Sequence, residues 1–582
     1  MSILLLEEQE LKFRNILTGS FLSAGSLFSY HSVHYPLFYK GAHNYIFCMA
    51  RKNYVQKSLS TYNQITEPPT LLSDNIPISE LVKFNVWWKT GEFFPNDQDI
   101  EHWTASKFKW DFRINKTIED FDVIYVLRGP RRVGKTTLLK LRIKKQLADG
   151  IIRDNIFYFS CNSLFNKPFK GEQDLAPVLD TYLTKVKKPG ERAFLYIDEV
   201  SMIKDWTVHI KSFIDDNKFK NCTVIFTGSH SIDLRKTSEK LSGRRGDVAK
   251  LRYQDPDRTL LQAKFSEYVE TLDKEISTEV ENLKLYASSK RKEILSRLLN
   301  GEIPEEIYQL SKYNEELNDL LMKYLTTGGL PKAVDQFVTN QNIDQYTYST
   351  FIRLIKEDLH RWHYNENYAK QLLAAIIEII PTPISWRNLA NRTNISSHKT
   401  AFTNVEILGD IFVINYRCKL ELDKALPRAS NTGQKKIYIR DPFIFHACRG
   451  WISGIDAFSL SQEFLKSPIN RGNLLECIFS DHLARLVFKL NPSAPDFRPS
   501  NHVYYWRSAK DKEVDFLILM GKQYVPIEVK YKDNIKSDDT IGVRRLTKDA
   551  HVHDYGFITS KKKLEIGERH IVIPASILLM LI

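Results

Sequence analysis

Cysteine is scarce and unpatterned in this chain. Six occur in 582 residues, at Cys48, Cys161, Cys222, Cys418, Cys448 and Cys477, and no two have C-x-x-C spacing. That excludes a zinc ribbon and a disulfide scaffold and fits a reducing compartment, the cytoplasm. Uninterrupted apolar stretches long enough to cross a bilayer are missing too, so no membrane partner is expected. The opening stretch MSILLLEEQE has no basic n-region and does not read as a signal peptide. Internal repeats and low-complexity segments are absent. What is present is an ordinary globular composition, 43% apolar, with a formal net charge of +13. A chain this long divides into about two to four domains. Its basic excess favours a polyanionic partner, nucleic acid before membrane.

One stretch carries definite chemistry. In YVLRGPRRVGKTTLLKLRIKKQL, an apolar run from Ile124 to Leu127 leads into a glycine loop and then a helical pattern from Leu138. Gly129, Gly134, Lys135 and Thr136 satisfy G-x-x-x-x-G-K-[ST], within the loop Gly129, Pro130, Arg131, Arg132, Val133, Gly134, Lys135, Thr136 and Thr137. Glycines let backbone N–H groups wrap a polyphosphate at a helix N-terminus. Lys135 would reach the β- and γ-phosphates of ATP, and Thr136 would ligate Mg²⁺.

The remaining parts of such a site follow in order. ERAFLYIDEVSMIKDW ends an apolar strand, Ala193 to Ile197, in Asp198-Glu199. Asp198 would hold the metal shell, and Glu199 would orient and polarise the attacking water. CTVIFTGSH ends a further strand and makes Ser229 a γ-phosphate sensor candidate. LSGRRGD offers Arg244 and Arg245, either as transition-state charge stabilisers or as a solvated loop.

Taken in order, GPRRVGKTT, LYIDEV, FTGSHS, LSGRR and YLTTGGLPKAV resemble the archaeal and bacterial AAA-type ATPases with a C-terminal domain of unknown function, relatives of the STAND signalling NTPases. The likeness runs from about Val82 to the C-terminus. It implies that the turn Gly328-Gly329-Leu330-Pro331 lies in a helical lid near the nucleotide, with Pro331 against adenine or ribose. The local pattern also fits a plain helix stop followed by proline.

Two further modules are expected downstream. PTPISWRNLANRTNISSHKTAFTNVEILGDIFVINYRCKL, with KKIYIRD, reads as helix, turn, helix and a strand pair, a winged-helix pattern. Asn394 to Ser397 form the turn, Ser397 or Ser396 caps the second helix, and His398, Lys399, Thr403 and Asn404 lie on or near its exposed face. They are candidate DNA contacts, although many winged helices only pack domains together. Then KEVDFLILMGKQYVPIEVKYK reads as a hairpin bearing Asp515, with Glu528 and Lys530 two apart on one face, roughly 6–7 Å. With Glu476 on an earlier helix, this is the PD-(D/E)XK nuclease constellation. Carboxylates hold a divalent metal, Mg²⁺ or Mn²⁺, that polarises the phosphate and activates water. The bland alternative is an ion pair on a sheet edge or a nuclease relic.

The expected fold is therefore α/β and multidomain. It comprises a P-loop NTPase parallel sheet with a helical lid, a winged helix, and a C-terminal α/β restriction-endonuclease-like domain. Expected boundaries are 1–75 (unassigned, with Met49 a conceivable internal start), 76–117 (helical approach), 118–258 (ATPase core), 259–365 (lid), 366–455 (winged helix) and 456–582 (nuclease-like). The function expected is an ATP-hydrolysing protein that couples a nucleotide switch to DNA binding and metal-dependent cleavage. The alternative is a STAND-like switch whose last domain binds without cutting. A hexameric motor is a third reading, so oligomerisation stays open.

Overall fold

The computed structural model describes residues 76–582 except 94–96, 166–174, 204, 229–233, 235–238, 242, 253–254, 423–426, 431, 491–501 and 509–511. Segment 1–75, with Met49, and the sensor candidate Ser229 lie outside the described residues. No described helix is long and apolar enough to cross a membrane.

The first sheet has five strands: β1 (Ile124–Arg128), β2 (Ile156–Ser160), β3 (Ala193–Asp198), β4 (Cys222–Thr227) and β5 (Asp257–Thr259). They run parallel in the order β2-β3-β4-β1-β5. Their sequences are nearly continuous apolar runs because helices cover both faces. β4 lies between β1 and β3, so the C-terminal ends of all three meet, as in other open parallel sheets whose strand order reverses. Before the sheet, Trp87 and Trp88 both donate their indole N–H to Ile156 O, at 3.1 and 3.0 Å. Asn85 brackets Tyr158 through both of its backbone polar groups. The "WWKTGE" segment is thereby fastened along the β2 edge.

Helices follow from Phe265–Leu272 to Glu366–Ile379. The helix pair Trp386–Asn391 and His398–Asp410 comes next, with Ser397 Oγ accepting from Thr400 N at 3.1 Å to cap the second helix.

The second sheet has nine strands: β6 (Ile414–Glu421), β7 (Arg428–Ala429), β8 (Lys435–Ile439), β9 (Val503–Arg507), β10 (Glu513–Met520), β11 (Gln523–Glu528), β12 (Gly556–Ser560), β13 (Glu565–Gly567) and β14 (His570–Pro574). β9, β10 and β11 are antiparallel, and the β10–β11 turn is the pair Gly521-Lys522, with Gly521 at φ +67°. β11, β12 and β14 are parallel. The order helix Pro468–Leu490, three antiparallel strands, helix Ser537–Leu546, parallel strand makes the centre of this half. The boundary expected at residue 455 does not divide the sheet. β6 pairs in parallel with β9 (Cys418↔Tyr504), and β8 pairs with β6, so the strands expected as a wing belong to the C-terminal sheet.

Candidate nucleotide site and C-terminal acidic cluster

The loop after β1 has the backbone a phosphate cradle needs. Gly129 has φ +154°, and a Cβ there would stand 2.1 Å from Leu260 O. Arg132 adopts φ +60°. Gly134, at φ +100°, starts the Lys135–Ala148 helix without a side-chain cap, and a Cβ on it would meet the Phe112 ring at 2.8 Å. Uncapped N–H groups at that helix start face the loop, where an anion is favoured.

Lys135 is buried, and its Nζ donates to Gly129 O and Pro130 O, both at 2.9 Å. Burial pulls its pKa down, opposed by Glu199, Asp198 and Asp358. Thr136 Oγ1 donates to Asp198 Oδ2 at 2.7 Å, Tyr158 OH to the same oxygen at 3.3 Å, and Thr227 Oγ1 to Oδ1. Burial first, and the neighbouring Glu199 second, push the Asp198 carboxyl above its usual range. Thr136 and Asp198 are adjacent hard-oxygen donors at the cradle and suit Mg²⁺. Glu199 sits at φ +55°, a left-handed conformation rare for a non-glycine residue that turns its side chain out of the strand line.

Three residues at this site carry no local sequence signal. The Gln345–Arg361 helix reaches the loop with its last turns. Arg131 pairs with Glu357 at 2.7 Å and Asp358 at 3.0 Å, and Arg361 Nη2 donates to Ser201 O at 2.9 Å. Burial raises the Asp358 carboxyl to about 6. These contacts join residues 160 or more positions apart, which no local pattern reports.

The placement of Arg244 and Arg245 corrects the expectation for that pair. Arg245 O accepts from Ile124 N, at the start of β1, and Arg245 pairs with Asp257. Arg244 pairs with Asp215 at 2.8 Å. Gly129 follows the other end of β1, roughly 16 Å away at the rise of a strand. Within this chain the pair braces the edge of the sheet opposite the phosphate loop. Pro331 opens the helix Pro331–Asn340, after Gly329, whose N–H donates to Asp441 Oδ2 at 2.9 Å and whose carbonyl accepts from Ala263 N at 3.0 Å.

On the His398–Asp410 helix, His398, Lys399 and Thr403 are exposed. Asn404 is not: it is buried, with Nδ2 donating to Thr400 O at 2.8 Å, so it faces the domain. Helical spacing turns position 404 away from the solvent face that Phe402 and Thr403 occupy.

In the C-terminal half, Glu476, Asp515, Glu528 and Lys530 converge from the Pro468–Leu490 helix, β10 and the end of β11. Lys530 pairs with Glu528, and Asp515 Oδ2 accepts from Val529 N at 2.9 Å. β11 ends at Glu528, so Lys530 lies just past the strand, its N–H on Thr559 Oγ1 at 2.7 Å. A member that sequence reasoning missed comes from β8. Lys436 Nζ lies 2.8 Å from Glu476, 2.7 Å from Glu513 and 2.8 Å from Asp515, and Tyr438 OH donates to Glu476 Oε1 at 2.6 Å. Burial, and secondarily Asp515, push Glu476 up to about 7 and Glu528 up to about 8. Asp515 goes the other way: burial opposes its charge, but Lys436 and Lys530 hold it below the usual range. Among the described residues, no group of three His, Cys, Asp or Glu side chains is placed to hold one metal ion.

Three stretches match known families. Residues 122–269 match the AAA domain, 318–454 a domain of unknown function (DUF8612), and 471–578 another domain of unknown function (DUF4143). No curated protein matches the chain. Among solved structures, the chain is similar to the Walker-type ATPase paby2304 of Pyrococcus abyssi at 13% identity, covering 58% of this chain and 93% of that one, with TM-score 0.34. It is also similar to the Aeropyrum pernix ORC2 protein (10%, 61% and 93%, TM-score 0.29) and to AMPPCP-bound DnaA from Aquifex aeolicus (14%, 59% and 92%, TM-score 0.17). The AAA match and the five-stranded parallel sheet with its loop identify an AAA-type P-loop ATPase domain.

Proposed function

We propose that this chain is an ATP-driven switch in which the nucleotide state of the P-loop domain is relayed to a DNA-engaging C-terminal half. In this reading, residues 118–258 hydrolyse ATP, 259–365 act as lid, 366–455 present a winged-helix face and 456–582 form a PD-(D/E)XK-like domain. Lys135 binds the β- and γ-phosphates, Thr136 and Asp198 hold Mg²⁺, and Glu199 polarises the attacking water. When bound, Mg²⁺ neutralises phosphate charge. Pro331 contacts the adenine or ribose, and Ser229 is the sensor.

The observation that carries the relay is the stretch Leu260–Phe265. Leu260 N donates to Arg128 O at 2.8 Å, and its carbonyl is the atom that crowds Gly129. Two residues on, Gln262 O accepts from Arg485 Nη1 at 2.6 Å. Ala263 O accepts from Tyr324 OH at 2.8 Å, Lys264 Nζ donates to Ile582 O at 2.6 Å, and Phe265 N donates to His482 Nε2 at 2.9 Å. His482 and Arg485 share the Pro468–Leu490 helix with Glu476. A shift at Gly129 on nucleotide binding therefore meets, within six residues, the helix bearing the acidic cluster.

The test is DNA affinity by fluorescence anisotropy, with and without a non-hydrolysable ATP analogue, combined with hydrogen exchange over residues 474–487. The nucleotide should change both. Equal affinity and equal protection would refute the relay. Affinity should also fall steeply with salt as counterions are released, and it should weaken on replacing His398 and Lys399. Lys532, paired with Asp539 at 2.7 Å, is expected to contribute less. A second reading is metal-dependent DNA cleavage, with Mg²⁺ or Mn²⁺ on Glu476, Asp515 and Glu528 and Lys530 acting on the reacting phosphate; the convergence of those four side chains supports it, and the lack of a three-carboxylate arrangement for one ion among the described residues weighs against it.

A further inference from the structure

The structure assigns Lys436 the position that a divalent cation would take in the acidic cluster, making this a metal-free ionic centre. The inference rests on the PD-(D/E)XK-like reading of residues 456–582 and decides between its cutting and non-cutting forms.

The geometry is that of a filled site. Lys436 comes from β8, outside the C-terminal stretch, in register with Arg417 on β6. Its side chain is 1% exposed. An ammonium has three hydrogens to donate. Here three carboxylates from two elements lie at 2.7–2.8 Å: Glu476 on the long helix, and Glu513 and Asp515 on β10. Two of those hydrogens form hydrogen bonds, to Glu476 Oε1 and Asp515 Oδ1, and Glu513 Oε1 lies at ion-pair distance.

Several carboxylate oxygens are engaged as well, while Glu528 Oε2 is buried without a hydrogen-bond partner. Glu476 Oε1 takes Tyr438 OH in addition to Lys436, Asp515 Oδ2 takes Val529 N, and Glu528 Oε1 takes Lys530. Burial works against the Lys436 charge, but Asp515, Glu476, Tyr438 and Glu513 outweigh it and hold the proton on.

A Mg²⁺ ion demands oxygen ligands at about 2.0–2.1 Å in near-octahedral geometry. To bind Glu476 and Asp515 together it would have to stand where Nζ stands. The displaced ammonium would keep only Glu513 of its three carboxylates while still buried, a state that buried charges avoid. Cation and ammonium thus exclude each other between Glu476 and Asp515, and among the described residues no three carboxylates are placed to hold an ion elsewhere in the cluster. The cluster's tasks are to tie β8 to the long helix and to β10, and to join the wing strands to the C-terminal sheet.

The test is Mn²⁺ binding to the full-length, nucleotide-free protein, followed by electron paramagnetic resonance. Four proteins are compared: wild type, Asp515→Asn, Lys436→Met and the double variant Lys436→Met/Asp515→Asn. Wild type and Asp515→Asn should bind Mn²⁺ equally, because the cluster contributes nothing. Lys436→Met should gain one Mn²⁺ per chain and lose it again in the double variant. Wild-type Mn²⁺ binding that drops in Asp515→Asn would overturn the inference. So would Mn²⁺-dependent DNA cleavage lost in Asp515→Asn, or a folded Lys436→Met that gains no ion. If Lys436→Met does not fold, the comparison of wild type with Asp515→Asn decides alone. Nucleotide-dependent DNA affinity, measured on the same wild-type sample, fails or holds independently, so an error in the switch reading is distinguishable from an error here.

Discussion

Replacing Gly129 by alanine adds one methyl at the point where the phosphate loop touches the segment leading to the lid. An added Cβ would stand 2.1 Å from Leu260 O and 3.1 Å from Leu260 C. Reaching even 3.0 Å requires a movement of about 0.9 Å. Two relaxations are available. The β5 end can retreat, stretching the 2.8 Å bond from Leu260 N to Arg128 O. Alternatively, residue 129 can leave φ +154°, which turns its carbonyl off Lys135 Nζ. A non-glycine residue held in that φ region costs on the order of 1–3 kcal/mol, and a lost backbone hydrogen bond about 1 kcal/mol more. The nucleotide must bind the original loop shape, so about 2–4 kcal/mol is withdrawn from binding, roughly 30- to 1000-fold in Kd. Titration of a fluorescent non-hydrolysable ATP analogue reads this directly, and a thermal melt on the same protein separates loop distortion from unfolding. Wild-type affinity in a folded Gly129→Ala protein would refute the argument that Leu260 and the loop are in steric register.

Glu199→Gln keeps the shape at the strand end and removes the charge proposed to polarise water, so ATP binding should persist while turnover falls about 10²-fold or more; normal turnover would move that role elsewhere. Lys135→Ala removes the cation now held by Gly129 O and Pro130 O, and nucleotide affinity should be lost with the melt little changed; unaltered affinity would count against the assignment. Arg245→Met, which leaves Asp257 without the partner that braces the far edge of the sheet, should lower thermal stability and leave the nucleotide affinity of the folded fraction unchanged; reduced affinity there would return the residue to the phosphates. The melting temperature should fall as pH rises from about 6.5 to about 8. Glu476 at about 7 and Glu528 at about 8 keep protons that the unfolded chain has released, so each opposes folding by up to about 1.4 kcal/mol per pH unit. His446, pulled down to about 4 by burial, has the opposite sign but finishes near its unfolded value, about 6.5. Lys489, pulled down to about 8 by burial, adds stability only above that value. Glu528→Gln should flatten the upper part of the curve, and a melting temperature that rises over the interval would refute the assignment.

Sequence alone determined what is local: which residues form the phosphate loop, which acids follow β3, and which strands and helices surround them. Strand, glycine loop and helix are contiguous from Ile124 to Ala148, and each is specified by short-range sterics and periodicity, so their order could be read directly. The same holds for the hairpin at Gly521-Lys522 and the cap at Ser397. Tertiary structure alone decided which distant groups meet. Nothing near Lys436 in KKIYIRD hints that its ammonium would lie between an acid of the long helix and two of β10. That meeting depends on β6 pairing with β9 across the expected domain boundary. Arg244 and Arg245 show the converse. Their motif fitted both a catalytic pair and a solvated loop, and the strand direction of β1 puts them at the end of the sheet away from the phosphate loop, paired with Asp215 and Asp257. A side chain's chemistry is written in its own residue. Its electrostatic partners are set by packing between separate elements, and the charge of an acidic cluster is known only when those partners are in place.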